Sequence, residues 1–168
     1  MPFYYDLNNN SVTNGSAGTE TTHWWAKTAA NQETVGISGL YVAGRFGTAG
    51  GAQFRVKSNT GTTASGGRAR TTTLVPWPRN AGSPAAASLW QDDGAGGGTA
   101  ITAGTTLQLR LTIGFAQTGG MGGWVATEPT AKFQMKANAT NPVDMEITSL
   151  ASSASVAFDS TIEFGEGI

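Results

Sequence analysis

The sequence predicts an all-β protein, an antiparallel β-sandwich of the jelly-roll type with an extended N-terminal arm. The composition supports this class, because Gly, Thr and Ala each occur 24 times in 168 residues, and Thr favours strands while Gly favours turns. Apolar and polar residues alternate in several segments, as they do in strands with one buried face. Turn-forming residues divide these segments into about eight or nine strands, which suits the two Greek keys of a jelly roll.

The N-terminal arm is expected over residues 1–20, because this segment is polar and rich in Asn, Ser, Thr and Gly. Residues 21–168 are expected to form a single sandwich domain that begins with a short strand between Thr21 and Ala29. An immunoglobulin-like sandwich is the alternative fold. It stays open because the Cys–Trp–Cys pattern of antibody domains is absent but dispensable.

The next two strands are expected to differ in burial. The segment 33–46 has apolar residues on both faces, with Ile37 and Tyr41 on one face and Leu40 on the other. Burial on both sides is therefore expected. The segment 52–57, "AQFRVK", alternates cleanly and is expected to have one buried face.

Loops are expected where small and turn-forming residues cluster, over 58–67 and 92–104. A β-rich run is expected over 68–75. A short strand is expected over 85–91, with a helical turn as the alternative. Three prolines in the segment 76–84 exclude a central strand there, because proline cannot donate to a sheet ladder.

The clearest strand pattern is "TTLQLRLTIGF", residues 105–115, in which every second residue from Leu107 to Phe115 is apolar. The segments "GWVATE", "AKFQMKA", "VDMEITSL" and "SVAFDSTIEF" are expected to be the later strands. No segment has the apolar period of an amphipathic helix.

The composition also excludes several classes of protein. Only 12% of residues are charged, about half the usual share, and the net charge of −1 argues against a dedicated nucleic-acid binder. The chain has no cysteine, which excludes disulfides and cysteine-based metal or nucleophile sites. The start, "MPFYYDLNNN", lacks the pattern of a signal peptide, and no apolar run reaches the ~20 residues of a membrane helix. We therefore expect no cofactor, no metal, no nucleic acid and no membrane as partners.

Candidate catalytic residues are few. A Ser-His-Asp triad would need His23, the only histidine, but this residue is better interpreted as partly packed in an aromatic strand. Asp144 and Glu146 lie about 7 Å apart on one strand face, as a glycosidase pair could, but a solvated strand face is favoured. The acidic turn Asp92–Gly94 lacks the alternating ligands of a calcium loop, so an ordinary turn is preferred.

The segment Gly114–Pro129, "GFAQTGGMGGWVATEP", raises the question of a phosphate-binding loop. A P-loop needs Lys-Ser or Lys-Thr after its last glycine and a helix behind it, but here Trp follows and the next pattern is a strand. The dinucleotide pattern of glycines is also absent. We therefore predict a hairpin with positive-φ residues or a bulge, formed by Gly119, Gly120, Gly122 and Gly123.

Tryptophans and charges indicate a contact role. Among five tryptophans, Trp77 lies between prolines and is the best candidate for an exposed anchor, with protein contact favoured over sugar stacking. The charges are segregated: those between Glu33 and Asp92 are all positive, and those after Val143 are all negative. The positive ones are Arg45, Arg55, Lys57, Arg68, Arg70 and Arg79. The two sets could face each other within one molecule or orient neighbouring molecules.

Three segments resemble a known family: "RFGTAGGAQF", "GFAQTGGMGGWVATEP" and the acidic end "IEFGEGI". They are similar to small virion proteins of tailed bacteriophages, of the capsid decoration (cement) type, over about the last three quarters of the chain. The resemblance implies a sandwich or jelly-roll body, a trimer at local threefold points and terminal arms that bridge capsomers. It assigns no site residue by residue.

The expected function is that of a capsid decoration protein, not an enzyme, which binds the outside of the major capsid protein lattice as a homotrimer. Its location would be the virion surface, after synthesis in the host cytoplasm. The expected contact residues are Phe3, Tyr4, Tyr5, Trp77, Arg79, Arg68 and Arg70. A glycan-binding or tail-fibre module that uses exposed tryptophans is the alternative. An enzyme is a third possibility and would need His23 or the Asp144–Glu146 pair in a cleft.

Overall fold

The computed structural model describes residues 3–13, 17–27, 35–45, 51–69, 75–76, 89–92, 99–115, 120–126, 133–135, 144–152 and 156–166. Within these ranges the chain forms thirteen β-strands and no helix, so the all-β prediction is confirmed. The strands are β1 (Phe3–Thr13), β2 (Thr21–Lys27), β3 (Val35–Arg45), β4 (Ala52–Asn59), β5 (Ser65–Ala69), β6 (Val75–Pro76), β7 (Leu89–Asp92), β8 (Thr99–Thr102), β9 (Leu107–Phe115), β10 (Gly120–Val125), β11 (Phe133–Met135), β12 (Asp144–Ala151) and β13 (Ala157–Glu166).

The strands form two sheets in which the described pairs are antiparallel. Sheet A has the order β10-β3-β13-β1-β6, and β11 also pairs with β3, beyond the end of β10. Sheet B has the order β8-β5-β7-β2-β12-β4-β9. Most neighbours are distant in sequence, so long-range pairing defines this fold.

The inner faces of the two sheets share one hydrophobic core. Phe158 of β13 lies at its centre, with ring centroids 5.4 Å from Phe54 of β4 and 5.8 Å from Phe115 of β9. The indole Nε1 of Trp24 in β2 donates to Ser160 Oγ of β13 at 3.4 Å, which satisfies the polar atom of a fully buried ring. These contacts hold sheet A against sheet B.

The N-terminal segment 3–13 is a strand of sheet A in the described structure, so the expected arm is not confirmed for these residues. β1 pairs along its length with β13 and also pairs with β6 at Tyr5 and Asp6. Tyr5 and Leu7 occupy the register positions opposite Phe164 and Ile162, and a bulge precedes Val12. The asparagines of this segment argued against a strand, because asparagine is depleted in strands. Backbone pairing with β13 nevertheless places the segment in sheet A.

A β-bulge in β3 overturns the predicted faces of that strand. Between Glu163 and Phe164 of β13 the register shifts, so that Ser38 is the extra residue of β3. Ile37 and Leu40 are therefore both fully buried, although they are three residues apart. Tyr41, predicted to share a face with Ile37, instead faces outward and is 41% exposed.

A second bulge has the same effect in β9. Val56 of β4 pairs with Leu111 and Lys57 pairs with Leu109, which leaves Arg110 as the extra residue. Ile113 and Phe115 face the core as predicted, but Leu109 is 56% exposed. The expectation of one uninterrupted apolar face from Leu107 to Phe115 is wrong for this reason.

Two predicted loops contain strands. β5 begins at Ser65, inside the loop expected over 58–67, and β8 lies inside the loop expected over 92–104. The two pair with each other and extend sheet B beyond β7. Their glycine and threonine content favoured loops in the sequence, while their hydrogen-bonding partners are distant strands. The strands predicted near β2, β4, β7, β10, β11, β12 and β13 are present.

The predicted glycine hairpin is also wrong. β9 is the end strand of sheet B and β10 is the end strand of sheet A, so the connection between them passes from one sheet to the other. Gly120 has a φ of +145°, a conformation that favours glycine. A Cβ at Gly122 would lie 2.5 Å from Ile113 Cγ2 of β9, so the sheets approach closely because this side chain is absent. Gly119 lies outside the described residues.

None of the residues that the structure describes belongs to a helix with the length and apolar character needed to cross a bilayer.

Candidate functional site

His23 lies in the core and not in a cleft. Its side chain is fully buried, its ring stacks on Phe54 at 6.0 Å, and its Nε2 lies 2.7 Å from Ser149 Oγ. Ser149 is fully buried as well. The sequence predicted that His23 would be partly packed, whereas its side chain is completely buried in the structure. A substrate has no access to this His–Ser pair in the described conformation.

Glu146 is also buried, which contradicts the prediction of a solvated strand face. Its carboxylate accepts hydrogen bonds from the backbone N–H of Gly104 at 2.7 Å and from Thr22 Oγ1 at 3.1 Å. Gly104 belongs to the connection between β8 and β9, which therefore covers this part of the outward face of sheet B. Asp144 is on the same strand, at the register position of Lys27. The hydrogen bond from Gly104 to Glu146 therefore attaches the β8–β9 connection to sheet B.

Asn59, at the end of β4, fixes the same covering segment from the other side. Its buried side chain donates to Thr62 O at 2.7 Å and accepts from the backbone N–H groups of Gly61 at 2.9 Å and Thr106 at 3.3 Å. One amide group therefore joins the β4–β5 and β8–β9 connections. These hydrogen bonds hold the two connections together beside the end of β4.

Glu20 is the centre of a charged cluster on sheet B. It pairs with Lys57 Nζ, lies 3.6 Å from Arg55 Nη1, and accepts from Thr148 Oγ1 at 2.5 Å. Burial raises the pKa of Glu20, but the hydrogen bonds from Lys57 and Thr148 and the charges of Lys57 and Arg55 outweigh burial and lower it below its ordinary value of 4.5.

We expect the free energy of unfolding to depend on pH through Glu20. Since its folded pKa is lowered, its stabilising contribution is fully present above the ordinary value of 4.5 and is lost as the pH falls through the folded pKa. Urea denaturation of the wild type and of Glu20→Gln should therefore show a stability difference at neutral pH that shrinks on acidification. A difference that stays constant or grows at low pH would contradict this assignment.

Asp92 and Arg68 form an ion pair within sheet B. Arg68 donates from Nε and Nη2 to the two carboxylate oxygens of Asp92, each at 3.1 Å, and the Asp92 side chain is fully buried. Asp92 is therefore the last residue of β7 and one partner of a buried ion pair. The sequence had favoured an ordinary turn at this position. No group of three or more potential metal ligands occurs among the described side chains.

Four of the seven predicted contact residues lie among the described residues. Phe3, Tyr4 and Tyr5 lie in β1, and Arg68 is held by Asp92. The remaining ones, Trp77, Arg79 and Arg70, lie outside the described residues. The described basic residues Arg55, Lys57 and Arg68 have their ion-pair partners in Glu20 and Asp92, which the separation of charges along the sequence did not indicate.

The outward face of sheet A carries an open groove of about 420 Å³. It lies across β10, β3 and β13, where Met121, Ala43 and Asp159 form one row and Gly123, Tyr41 and Thr161 form the next. We call this surface, defined by Tyr41, Met121, Gly123, Asp159 and Thr161, the acidic groove. Met121 is 89% exposed, which is unusual for a large apolar side chain.

Two glycines give the groove its shape. A Cβ at Gly123 would lie 3.3 Å from Cδ1 of Tyr41, and a Cβ at Gly39 would lie 3.2 Å from its Cε2. The tyrosine ring therefore occupies the space above both glycines and lies close to the sheet. The sequence contained no direct signal for this surface, because the bulge at Ser38 turns Tyr41 outward.

The tryptophan side chains that the structure describes are largely covered by other residues. Trp24 is fully buried and Trp25 is 5% exposed, with its Nε1 donating to Gly66 O at 2.9 Å. Trp124 is partly buried and packs against the core. These three rings offer little surface for stacking on a sugar.

No protein-family model matches this chain, and no curated protein matches it significantly.

Proposed function

We propose that this protein is a capsid decoration (cement) protein of a tailed bacteriophage. It binds the outside of the major capsid protein lattice as a homotrimer and stabilises the head through many protein contacts. Its location is the virion surface, and its activity is binding alone. The resemblance of the glycine-rich and C-terminal segments to such virion proteins supports this proposal.

The fold that goes with this proposal is a jelly roll. Its support is the strand order: β1-β13-β3-β10 in one sheet and β2-β12-β4-β9 in the other. In this order, β1 to β4 alternate between the sheets, as do β9, β10, β12 and β13, while β4 and β9 pair within one sheet. Two Greek keys give this arrangement. The strands β5 to β8 then form an insertion that lengthens the sheets at one side.

The observation that carries the proposal is the distribution of exposed and buried groups. Among the described residues, the exposed large apolar side chains Tyr41, Met121 and Val125 lie on β3 and β10 of sheet A, and Leu109 lies on β9, the end strand of sheet B. His23, Ser149 and Glu146, in contrast, are fully buried. Exposed apolar surface on a small protein marks a site of association. With 12% charged residues, the chain has little charge repulsion to oppose packing against neighbours.

The mechanism is multivalent attachment. Each copy in a trimer offers the same contacts to the lattice, so that the second and third contacts form at a high effective concentration. Bound protein stabilises an intact capsid by linkage, by about 2.7 kcal/mol per site when the free concentration is one hundred times the Kd. The residues proposed for capsid contact remain Phe3, Tyr4, Tyr5, Trp77, Arg68, Arg70 and Arg79.

The test adds purified protein to bare capsids assembled from the major capsid protein of the same genome. We expect saturable binding at a fixed ratio to the capsid subunit and a higher capsid melting temperature in scanning calorimetry. Trp77→Ala should weaken binding, whereas Thr102→Ala, at an exposed position on β8, should not. Failure to bind in stoichiometric amounts, or an unchanged melting temperature, would refute the proposal.

The alternative, a glycan-binding or tail-fibre module, depends on exposed tryptophans. Since Trp24 and Trp25 are buried, Trp77 and Trp90 would have to provide the stacking surface. This alternative would be favoured if the isolated protein bound a sugar, lost that binding when Trp77 was replaced, and did not bind capsids.

A further inference from the structure

β9 is an end strand of sheet B with a long open edge. Among the described strands it pairs with β4 alone, over its whole range from Leu107 to Phe115. An end strand presents backbone N–H and C=O groups to which a strand of another molecule can pair. Every second residue of β9 is apolar, and its one charged residue is Arg110. The sequence of this strand therefore favours pairing between copies.

The two halves of this edge have different surroundings. In the C-terminal half, Ile113 and Phe115 are each 9% exposed, because they face β10 of sheet A. A Cβ at Gly122 of that strand would lie 2.5 Å from Ile113 Cγ2 and 3.6 Å from Phe115 Cζ. In the N-terminal half, Leu109 and Arg110 are exposed. The N-terminal half is therefore the part that a second strand can reach.

The side chain of Arg110 lies on the core side of sheet B, although it is exposed. Ser58 pairs with both Gln108 and Met145, and Met145 belongs to the hydrophobic core. Directly opposite residues share a face, so these three side chains point inward. Arg110 Nε donates to Ser58 Oγ at 2.7 Å, and its Nη2 donates to Gln108 Oε1 at 2.9 Å. Two neutral acceptors therefore hold the guanidinium on the inward face, beside the open edge.

The bulge in β9 produces this placement. Arg110 is the extra residue between Leu109, which pairs with Lys57, and Leu111, which pairs with Val56. A bulge interrupts the regular backbone ladder and increases the local twist, so that a second strand has no continuous ladder to join. An inward-pointing charge opposes pairing as well, since a guanidinium is always ionised and its burial without a charged partner is costly.

We propose that Arg110 and its bulge prevent the exposed half of the β9 edge from pairing with a second copy of this chain. A strand added there would cover the inward face beside Ser58 and remove water from the guanidinium. An apolar residue at position 110 would abolish this cost, next to a leucine that is already exposed. The protection matters because only 12% of residues are charged, so that little charge repulsion separates the copies. The inference does not depend on the proposed function.

The experiment compares the full-length wild type with Arg110→Val by sedimentation velocity over a wide concentration range, with whatever assembly the wild type forms as the baseline. Arg110→Val should form larger particles, at a concentration at least about tenfold lower than the wild type needs, because pairing no longer buries a charge. Infrared spectra of these particles should show the band of intermolecular β-sheet. Hydrogen exchange in them should become slower within the segment 107–111.

Two variants are the controls. Arg110→Lys keeps a positive charge at the edge and should behave as the wild type does. Gln53→Val adds the same apolar side chain at an exposed position of β4, which lies between β12 and β9, and should also behave as the wild type does.

Several outcomes would overturn the inference. They are an Arg110→Val variant that associates no more than the wild type, or an equal response of either control. Slower exchange confined to other segments would do the same, as would association only at temperatures where thermal melts show that the variant has unfolded. Wild-type protein that does not bind capsids would bear on the proposed function alone.

Discussion

Phe158→Ala is expected to lower the free energy of unfolding by about 3–5 kcal/mol, as large-to-small changes at buried aromatic positions do. The ring is fully buried between the sheets and contacts Phe54, Phe115 and His23, with centroid distances of 5.4, 5.8 and 6.3 Å. Truncation would remove packing for both sheets at once, and the surrounding backbone ladders limit collapse around the cavity.

Urea denaturation, followed by tryptophan fluorescence at fixed protein concentration, measures this loss. Phe158→Leu fills more of the cavity and should cost less than Phe158→Ala, while Thr102→Ala at an exposed position should change stability by less than about 0.5 kcal/mol. A loss below about 1 kcal/mol for Phe158→Ala would show that the two sheets do not depend on this contact.

The alternation in β13 illustrates what the sequence predicts well. Phe158, Ile162 and Phe164 were expected on one face, and all three are fully buried. This strand has no irregularity of its own between these residues, so its side chains keep a period of two over the length of the ladder. Composition and alternation together sufficed for the all-β class and for most strand positions.

Bulges limit prediction from alternation. One extra residue, Ser38 in β3 or Arg110 in β9, reverses the faces of the residues on one side of it. The sequence contains no mark that distinguishes these residues from their neighbours, because the register is set by the partner strand. The exposure of Tyr41 and Leu109 follows from these bulges.

Long-range pairing limits prediction of topology. The first strand, β1, lies beside the last strand, β13, and residues near each end of the chain complete the same ladder. A polar segment with a weak pattern therefore became a strand inside sheet A. Similarly, the glycines between β9 and β10 predicted a local hairpin, but the two strands lie at the ends of different sheets.

The burial of Glu146 was unpredictable for a related reason. The pattern of β12 correctly placed Met145 and Ile147 toward the core, and Glu146 on the opposite face. That face, however, is covered by the connection that contains Gly104, which is separated from Glu146 by 42 positions along the chain. An outward-facing residue is solvated only if no other segment covers it, and local periodicity contains no information about that covering.

Glu146→Ala is expected to lower the free energy of unfolding by about 2–4 kcal/mol, because it leaves two donors without their acceptor in a buried environment. These donors are the backbone N–H of Gly104 and Thr22 Oγ1. Glu146→Gln retains one acceptor oxygen for Gly104 and should cost less than half as much. Urea denaturation gives both values, and hydrogen exchange at the Gly104 amide reports the local contact. If Glu146→Ala leaves that exchange unchanged, the carboxylate does not hold the covering segment. If both variants are equally unstable, the negative charge matters more than the hydrogen bond to Gly104.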